Sequence, residues 1–340
     1  MKAVVYDAPR SFTVTDVPVP EPGPGEVRIK VLAAGVCGTD LHLHEGQFLA
    51  VYPMTPGHET VGLVDALGEG VDDFEVGEQV VINPNAACGS CEYCREGRRL
   101  LCGNFSGIGS TLPGGFAEFV LAPVAQVFSA EGLPVETAVF TEPTSCVAHG
   151  IDVIAPRHGS TALVFGAGPT GIILAQLLKA AGASHVRIAA PTQFKLDTAV
   201  DLGVDDSYTM NRGDLPGDLE KLRELAGGSG YDIVVDATGV PAIAEALVPM
   251  TRNGGTAVFY GVADESATIS ISPYDVFRRE ITIKGSFAEI ESFPQALAAL
   301  RAGRARTDGI ITHRFGLDDY GTALDTVRSD KSANKVIITP

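Results

Sequence analysis

The sequence predicts an α/β protein in two parts, a β-rich part and a doubly wound parallel sheet covered by helices. Residues 1 to about 150 hold short apolar or alternating runs between glycines and prolines, a pattern typical of strands. After about residue 155, strand-like and helix-like runs alternate as in successive βαβ units. A glycine-rich turn joins the first strand of this alternation to its helix, which favours a nucleotide-binding sheet.

Each predicted element corresponds to a short stretch of sequence. In the β-rich part, EVRIKVLAAGV, ETVGLVDALGEGV, EQVVINP and GGFAEFVLAP predict strands, and the proline-dense PVPEPGPGE predicts a turn. The alternating part predicts strand TALVFG, helix GIILAQLLKAAGA, strand HVRIAA, helix KLDTAVDLG, strand YDIVVDATG, helix AIAEALVPM and strand GTAVFYG. Two further helices, FPQALAALRAG and YGTALDTVRS, and a closing strand, KVIITP, follow.

Charge and composition exclude several classes of function. The 340 residues carry a formal net charge of −17, whereas nucleic-acid binding needs a basic surface. GAGPTG interrupts the longest uncharged run, Gly159 to Leu178, so we expect no membrane span. MKAVVYDAPR lacks the apolar core of an export signal, so we expect a cytoplasmic location. In that reducing compartment, the six cysteines are expected as thiolates or metal ligands.

The run CGSCEYCREGRRLLC predicts a structural zinc site. Its four cysteines are separated by two, two and seven residues, and the small residues between the first two allow a tight turn. Disulfides and an iron–sulfur cluster are the alternatives, but in a ferredoxin-like run the fourth cysteine follows after three residues and precedes a proline. The predicted ligands are Cys88, Cys91, Cys94 and Cys102.

Three other motifs supply a second, more varied set of metal ligands. VCGTDLHLHEG holds Cys37, PGHETVG holds His58 and Glu59, and TEPTSCVAHG adds Glu142. Singly, each has an ordinary explanation as a core cysteine, a hydrogen-bonding histidine or a solvated acid. Together, each beside a glycine or proline turn, they predict an open zinc site with a position left for a ligand from solution.

VFGAGPTGII predicts a dinucleotide-binding turn at Gly166, Gly168 and Gly171. The first glycine forms the turn, the second lets a pyrophosphate approach, and the third packs the helix on the strand. Free N–H groups at the start of the helix then hold the anion.

The acid that binds the adenosine ribose is absent from its expected place. About 20 residues after the glycine turn, at the end of the second strand, this chain has Ala190, and Asp197 falls inside the next helix. Without the acid a 2′-phosphate meets no repulsive charge, and Thr192 and Lys195 are candidates to bind it. We therefore predict NADP as the preferred cofactor, with relaxed binding of NAD and a solvated Lys195 as the alternative.

The motifs as a set resemble the zinc-dependent medium-chain dehydrogenases of the alcohol dehydrogenase superfamily. CGTDLH, GHE, the cysteine run, GGFAEF, EP, GAGPTG, DATG and KGSF occur in the family's order along the whole chain. The resemblance implies a GroES-like catalytic domain from residues 1–150 and 287–340 and a Rossmann domain from residues 151–286. Glu142 stands where alcohol dehydrogenases have a second cysteine ligand, which favours the sorbitol-type polyol group.

The resemblance also implies individual roles in catalysis. Thr39 would accept the substrate's hydroxyl proton and pass it through the cofactor ribose to His42. Glu59 or Glu142, through a bound water, offers a competing proton route, and either acid would bind zinc directly or through water.

Two residues near these motifs have less specific expectations. Asp40 would orient His58 or simply cap a turn. His44 has no implied role, and we expect it at the surface.

Further contacts are predicted for the cofactor and the substrate. We expect Phe48, Glu142 and Ala288 to contact the substrate. The full set of predicted cofactor contacts is Gly166, Gly168, Pro169, Thr170, Gly171, Ala190, Thr192, Lys195, Thr238, Gly261, Val262, Ser286 and Phe287.

The sequence thus predicts an oxidoreductase with two zinc ions per chain that interconverts a polyol, or another secondary alcohol, and its ketose. An L-threonine 3-dehydrogenase-like activity is the alternative, although the tryptophan-rich continuation of that group is missing. A non-catalytic nucleotide-binding protein is the remote alternative, since no candidate ligand has been lost. The expected partner is a small molecule, without nucleic acid or membrane, and relatives suggest a homo-oligomer, either a tetramer or a dimer.

Overall fold

A computed structural model describes residues 1–47 and 50–340, so Phe48 lies outside the described residues. The described chain divides into two compact units. The first comprises Met1–Ser145, Glu289–Ala302 and Thr307–Pro340, and the second comprises Cys146–Ala288 and Gly303–Arg306. The domain limits expected from the sequence, 150/151 and 286/287, differ by a few residues from the limits of these units.

Both units contain strands and short helices. The described strands are β1 Lys2–Ala8, β2 Ser11–Asp16, β3 Glu26–Val36, β4 Glu59–Leu67, β5 Gln79–Ile82, β6 Asn85–Ala86, β7 Ser106–Gly107, β8 Phe119–Pro123, β9 Val127–Ser129, β10 Thr161–Phe165, β11 His185–Ala190, β12 Asp206–Thr209, β13 Tyr231–Asp236, β14 Thr251–Phe259, β15 Thr282–Gly285, β16 Ile311–Phe315 and β17 Lys335–Ile338. The described α-helices are α1 Gly38–Glu45, α2 Glu92–Arg95, α3 Val135–Ala138, α4 Thr141–Ile154, α5 Pro169–Ala180, α6 Gln193–Asp201, α7 Leu215–Leu225, α8 Pro241–Met250, α9 Pro273–Arg279, α10 Phe293–Arg301 and α11 Tyr320–Ser329.

The first unit is built on a sheet in which β3 is the most connected strand. The strand order is β16-β17-β3-β4-β5-β9, and β8 pairs with one end of β3. Strands β17, β4 and β8 all run antiparallel to β3. Strand β3 ends at Val36, directly before Cys37, so this sheet fixes the position of the first predicted zinc ligand.

An aromatic cluster in the core of the first unit holds helix α1 in place. Tyr6 and Tyr320 are fully buried, and their hydroxyl oxygens lie 3.3 Å apart. The hydroxyl of Tyr6 also lies 2.8 Å from Nδ1 of His44, and Tyr52 donates to the carbonyl of Leu43 at 2.5 Å. The expectation that His44 is a surface residue is wrong, because it is half-buried against these rings and burial lowers its pKa.

The second unit is a parallel six-stranded sheet of order β12-β11-β10-β13-β14-β15. Its first three strands in the chain run outward in one direction and the next three in the other, which defines the doubly wound topology. The order reverses between β10 and β13, where ligands bind in such sheets. The predicted α/β class with a doubly wound parallel sheet is confirmed.

Most of the predicted elements form close to their expected bounds. Strands β3 and β11 match EVRIKVLAAGV and HVRIAA from end to end, and α5 and α10 differ from prediction by only a few residues. Helices α1, α2, α3, α4, α7 and α9 are additional to the predicted elements. Over residues 1–47 and 50–340, no helix combines the length and apolarity that crossing a bilayer requires.

Candidate active site and metal centres

The four predicted sulfur ligands lie together in the first unit. The sulfur atoms of Cys88, Cys91, Cys94 and Cys102 are all within 4.8 Å of one another. Sγ of Cys91 lies 3.5 Å from that of Cys94 and 3.8 Å from that of Cys102. A tetrahedral zinc with bonds of about 2.3 Å needs sulfur–sulfur separations of about 3.8 Å, so the four thiols fit zinc. None of the six cysteines forms a disulfide, which excludes the disulfide alternative within this structure.

Local hydrogen bonds favour the thiolate form of some cysteines in this site, whereas burial and the neighbouring thiols raise the pKa of Cys94 to about 12. The backbone amide and the hydroxyl of Ser90 lower the pKa of the Cys88 thiol to about 5. The backbone N–H groups of Cys88 and Asn104 each donate to Sγ of Cys102 at 3.3 Å. Amide donors of this kind stabilise negative charge on sulfur, which is the form that binds a metal.

A second cluster joins a thiol, an imidazole and a carboxylate. The ligand atoms of Cys37, His58 and Glu59 lie within 4.8 Å of one another. Cys37 is the N-cap of α1, and Glu59 begins β4 immediately after His58. This donor set also fits zinc, which accepts sulfur, nitrogen and oxygen ligands. Glu142, in the first turn of α4, does not belong to this close set.

Asp40 fills both of the roles considered for it. One carboxylate oxygen accepts the backbone N–H of Cys37 at 2.8 Å and so caps α1, and the other lies 3.6 Å from Nδ1 of His58. Burial works against a charged His58, but Asp40 and Cys37 together raise its pKa well above the ordinary value. With Nδ1 facing this carboxylate, Nε2 is the nitrogen left for a metal.

Lys335, which the sequence motifs did not indicate, forms an ion pair with Glu59. Both side chains are almost fully buried, with exposed fractions of 4% and 1%. Burial lowers the pKa of the lysine, but Glu59 and Cys37 raise it, and the net direction is upward. A charged ammonium therefore lies directly beside a candidate zinc ligand.

Glu289 is a further candidate site residue of the first unit. Its side chain is completely buried, and Asn85 Nδ2 donates to its carbonyl at 2.9 Å and to its Oε1 at 3.3 Å. Burial, followed by the charge of Glu142, raises the pKa of Glu289 to about 8. Its Oε2 has no hydrogen-bond partner among the described residues.

The two residues expected to move a proton both lie on α1. Thr39 Oγ1 is 3.8 Å from Sγ of Cys37, and Nδ1 of His42 is 2.9 Å from the side-chain oxygen of Gln47. Both side chains are half-buried. One helix therefore presents a hydroxyl close to the metal cluster and an imidazole one turn further along.

The glycine turn has the geometry that its three positions require. Gly166 has a positive φ of 108°, which a residue with a side chain rarely adopts. A Cβ on Gly168 would meet no atom within 4 Å, whereas a Cβ on Gly171 would collide with the carbonyl oxygen of Gly166. Helix α5 begins at Pro169 without a side-chain cap, so its first N–H groups remain available to an anion.

The end of β11 brings together the residues expected to select the cofactor, and adds one more. Ala190 is the last residue of β11, and Thr192 is the N-cap of α6 without a side-chain hydrogen bond. Burial and the charge of Arg212 lower the pKa of Lys195. Arg212 follows β12, and no sequence motif pointed to it.

The remaining predicted cofactor contacts differ in their exposure and in whether their hydrogen-bonding groups already have partners. The hydroxyl of Thr238 donates to Asp236 at 2.5 Å and accepts from the backbone of Val240 at 3.0 Å, so it stabilises its own loop. Val262 and Phe287 are 48% and 43% exposed. The three other predicted contacts are the helix residue Thr170, the loop residue Gly261 and Ser286, whose buried hydroxyl has no hydrogen-bond partner among the described residues.

Comparison with known proteins identifies the family. Residues 23–132 match the family model of the alcohol dehydrogenase GroES-like domain, and residues 169–302 match that of the zinc-binding dehydrogenases. The chain belongs to the zinc-dependent medium-chain dehydrogenases. The predicted family and the GroES-like and Rossmann combination are thereby confirmed.

Named relatives of this dehydrogenase span its whole length. D-arabinitol dehydrogenase 1 of Uromyces fabae is 42% identical over 341 residues, covering 100% of this chain and 97% of the relative. An L-threonine 3-dehydrogenase of Yersinia enterocolitica is 33% identical, covering 99% of each chain. A zinc-binding dehydrogenase from Sinorhizobium meliloti, solved bound to NADP, is 32% identical with a TM-score of 0.91, covering 100% of this chain and 99% of that one.

The first prediction concerns the metal content of the dehydrogenase. The two ligand sets should hold about two zinc ions per chain. Cys94→Ser should remove one of them, and so should Cys37→Ser, because each variant breaks one set. Elemental analysis of the purified protein measures this. Equal zinc in all three proteins would contradict the assignment of both sets, and replacement of the remaining cysteine, Cys146→Ser, is the matched control.

The second prediction compares two glycines of the cofactor turn. Gly171→Ala should destabilise the cofactor-free dehydrogenase by about 2–3 kcal/mol, because its methyl group collides with the backbone of Gly166. Gly168→Ala should cost less than about 1 kcal/mol but should weaken dinucleotide binding. Urea unfolding and calorimetric binding separate the two effects. Equal loss of stability in both variants would contradict this division of roles.

Proposed function

We propose that this chain is a zinc-dependent oxidoreductase that transfers hydride between a polyol and NAD(P), interconverting polyol and ketose. The observation that carries the proposal is the close set of thiol, imidazole and carboxylate at Cys37, His58 and Glu59. Three mixed donors leave a coordination position for substrate, as a catalytic zinc requires. The 42% identity to a D-arabinitol dehydrogenase along the full chain supports the polyol class.

The chain's own residues supply the path for the proton. When bound, zinc acts as a Lewis acid that lowers the pKa of the substrate hydroxyl, and the nicotinamide accepts the hydride. We assign Thr39 as the acceptor of the hydroxyl proton, consistent with its distance of 3.8 Å from the thiol of Cys37. His42, whose ring is held by Gln47, would receive the proton after Thr39. A bound water on Glu59 or Glu142 remains the competing route.

Domain roles follow from where the ligand sets lie. Both metal-binding sets belong to the first unit, and the glycine turn belongs to the second. We propose that the first unit, close to residues 1–150 and 287–340, is the catalytic domain. The second, close to residues 151–286, would bind the dinucleotide.

NADP is the cofactor that the local charges favour. Ala190 leaves no carboxylate at the end of β11, while Lys195 and Arg212 repel each other beside the start of α6. A 2′-phosphate would relieve this repulsion and accept hydrogen bonds from both cations. The Sinorhizobium meliloti neighbour was solved with NADP, which agrees with this choice.

Self-association and location complete the proposal. The edge strand β15 and helix α9 expose unusually large apolar groups, with Phe277 79% and Tyr274 69% exposed. Exposed apolar patches of this kind mark contact surfaces, so we propose a homo-oligomer, either a tetramer or a dimer. The absence of disulfides and the arrangement of five of the six cysteines in the two metal-ligand clusters favour the reducing cytoplasm.

The third prediction tests the substrate class. With tetritols, pentitols, hexitols, simple secondary alcohols and L-threonine as substrates, kcat/KM for at least one polyol should exceed that for L-threonine by about 100-fold. Steady-state assays with NAD and NADP measure this. Cys37→Ser is the control that should abolish every activity. A preference for threonine would favour the alternative function and refute the polyol assignment.

The fourth prediction tests cofactor choice. Ala190→Asp should shift the ratio of kcat/KM for NADP and NAD toward NAD by roughly 10-fold or more, because the new carboxylate repels the 2′-phosphate. Arg212→Ala should lower kcat/KM for NADP alone by a similar factor. Arg304→Ala, which removes an exposed positive charge from the same unit, is the matched control. If the ratio is unchanged in both variants, the phosphate is bound elsewhere.

A further inference from the structure

Helix α1 ends in a turn that brings Gln47 back onto His42. Gly46 has a φ of 82°, in the left-handed region that glycine adopts without strain. Its N–H donates to the carbonyl of Leu43 at 3.1 Å, and the N–H of Gln47 donates to the carbonyl of His42 at 2.9 Å. These two bonds define a Schellman motif, in which the residue after the glycine packs against the last turn of the helix.

The side-chain contact across this turn is polar. Oε1 of Gln47 lies 2.9 Å from Nδ1 of His42. In Schellman motifs an apolar contact is common at this position, because the residue only has to cover the end of the helix. The amide of Gln47 instead places a hydrogen-bond acceptor against one particular nitrogen of the imidazole.

The turn that carries Gln47 is held by the connection between β1 and β2. The backbone N–H of Arg10 donates to the carbonyl of His44 at 2.8 Å. A Cβ on Gly46 would lie 2.8 Å from Cγ of Pro9, so the two turns pack closely. The path of the chain after α1 is therefore fixed by backbone contacts, and it keeps the amide within reach of the ring.

The contact determines which nitrogen of His42 carries the proton. An amide oxygen can only accept a hydrogen bond, so Nδ1 must donate to it. In the neutral imidazole Nε2 is then the unprotonated nitrogen, and it is the one that can accept a proton. When Nε2 becomes protonated, Nδ1 still donates to the same oxygen. The hydrogen bond to Gln47 thus fits the ring both before and after proton transfer.

We propose that Gln47 is a positioning residue that holds His42 in the tautomer with Nδ1 protonated, so that Nε2 receives the proton released by the substrate. The proton that leaves the substrate by way of Thr39 ends on Nε2, the ring becomes an imidazolium, and no other bond of His42 changes. This inference rests on the proposed function, because it takes His42 as the acceptor of that proton. The tautomer itself can be measured without substrate, cofactor or turnover.

The test is the nitrogen-15 NMR spectrum of the imidazole rings in the full-length, zinc-loaded protein at about pH 9, where an imidazole is neutral. The signals of His42 are identified by their absence in His42→Asn. The wild type should show the proton on Nδ1. Gln47→Leu supplies the apolar contact common in Schellman motifs but removes the acceptor, so the population with the proton on Nε2 should rise. Gln47→Glu keeps an acceptor oxygen and should keep the wild-type tautomer.

Turnover at the same pH gives a second readout. Gln47→Leu should lower kcat for polyol oxidation by about 5- to 10-fold, the effect of losing one hydrogen bond, while KM for polyol and dinucleotide stays within about 2-fold. Gln47→Glu should recover most of this loss. Gln295→Leu, the same change at an exposed position of α10, is the matched control.

A second variant disturbs the contact without removing the amide. Gly46→Ala strains the left-handed turn and brings its methyl group against Pro9. It should change the tautomer of His42 in the same direction as Gln47→Leu. This variant carries the test if Gln47→Leu does not fold.

The contrary outcomes are distinct. A wild-type ring with the proton on Nε2, an unchanged tautomer in Gln47→Leu, or a changed tautomer without loss of kcat each overturns this inference. Undiminished polyol oxidation by His42→Asn overturns the proposed proton path and this inference together. A wild type with the predicted tautomers that oxidises no polyol overturns the proposed substrate class and leaves the positioning of His42 by Gln47 intact.

Discussion

Burial of the Glu59 carboxylate is the constraint on which the rest of the first unit depends. A charge that is 1% exposed has lost its hydration, and its environment must supply compensating positive charge. Lys335 supplies part of it from the last strand of the sheet, and a metal ion held by Cys37, His58 and Glu59 would supply the rest. Asp40 is also fully buried and needs compensating positive charge for the same reason. It faces His58 and the first turn of α1. The metal site is thus embedded in a network of paired charges.

Strand β3 brings this network together from distant parts of the chain. It ends one residue before Cys37, it has Glu59 beside it on one side, and β17 delivers Lys335 on the other. A shift of one residue in either pairing would turn the charged side chain to the opposite face of the sheet. The same register therefore serves folding and chemistry, which explains why a glycine without any turn function stands at position 35.

Residues whose role depends on local spacing could be predicted from the sequence, and residues placed by tertiary structure could not. The cysteine run, the glycine turn and GHE each show their chemistry within a few consecutive positions. Lys335 and Arg212 carry no such pattern, because strand pairing or a loop brings them to their sites. Helix α1 was missed for a related reason: only Asp40 and Leu43 are buried along it, so it has no apolar stripe. The four central strands of the parallel sheet were predicted because they are continuous apolar runs, whereas the edge strands β12 and β15, DSYT and TIKG, are polar and were missed.

The charged residues of the candidate cofactor site and of the candidate metal site lie in different environments, and this difference has consequences for specificity. Lys195 is only half-buried, so its charge is screened by salt and its interactions are readily changed by single substitutions. The pair of Lys335 and Glu59 is almost fully buried, where screening is weak and removing one partner leaves an unpaired charge. Cofactor preference can therefore vary among related dehydrogenases at little cost to folding. The buried charges around the metal site cannot vary so readily, because any change there must also satisfy the core of the first unit.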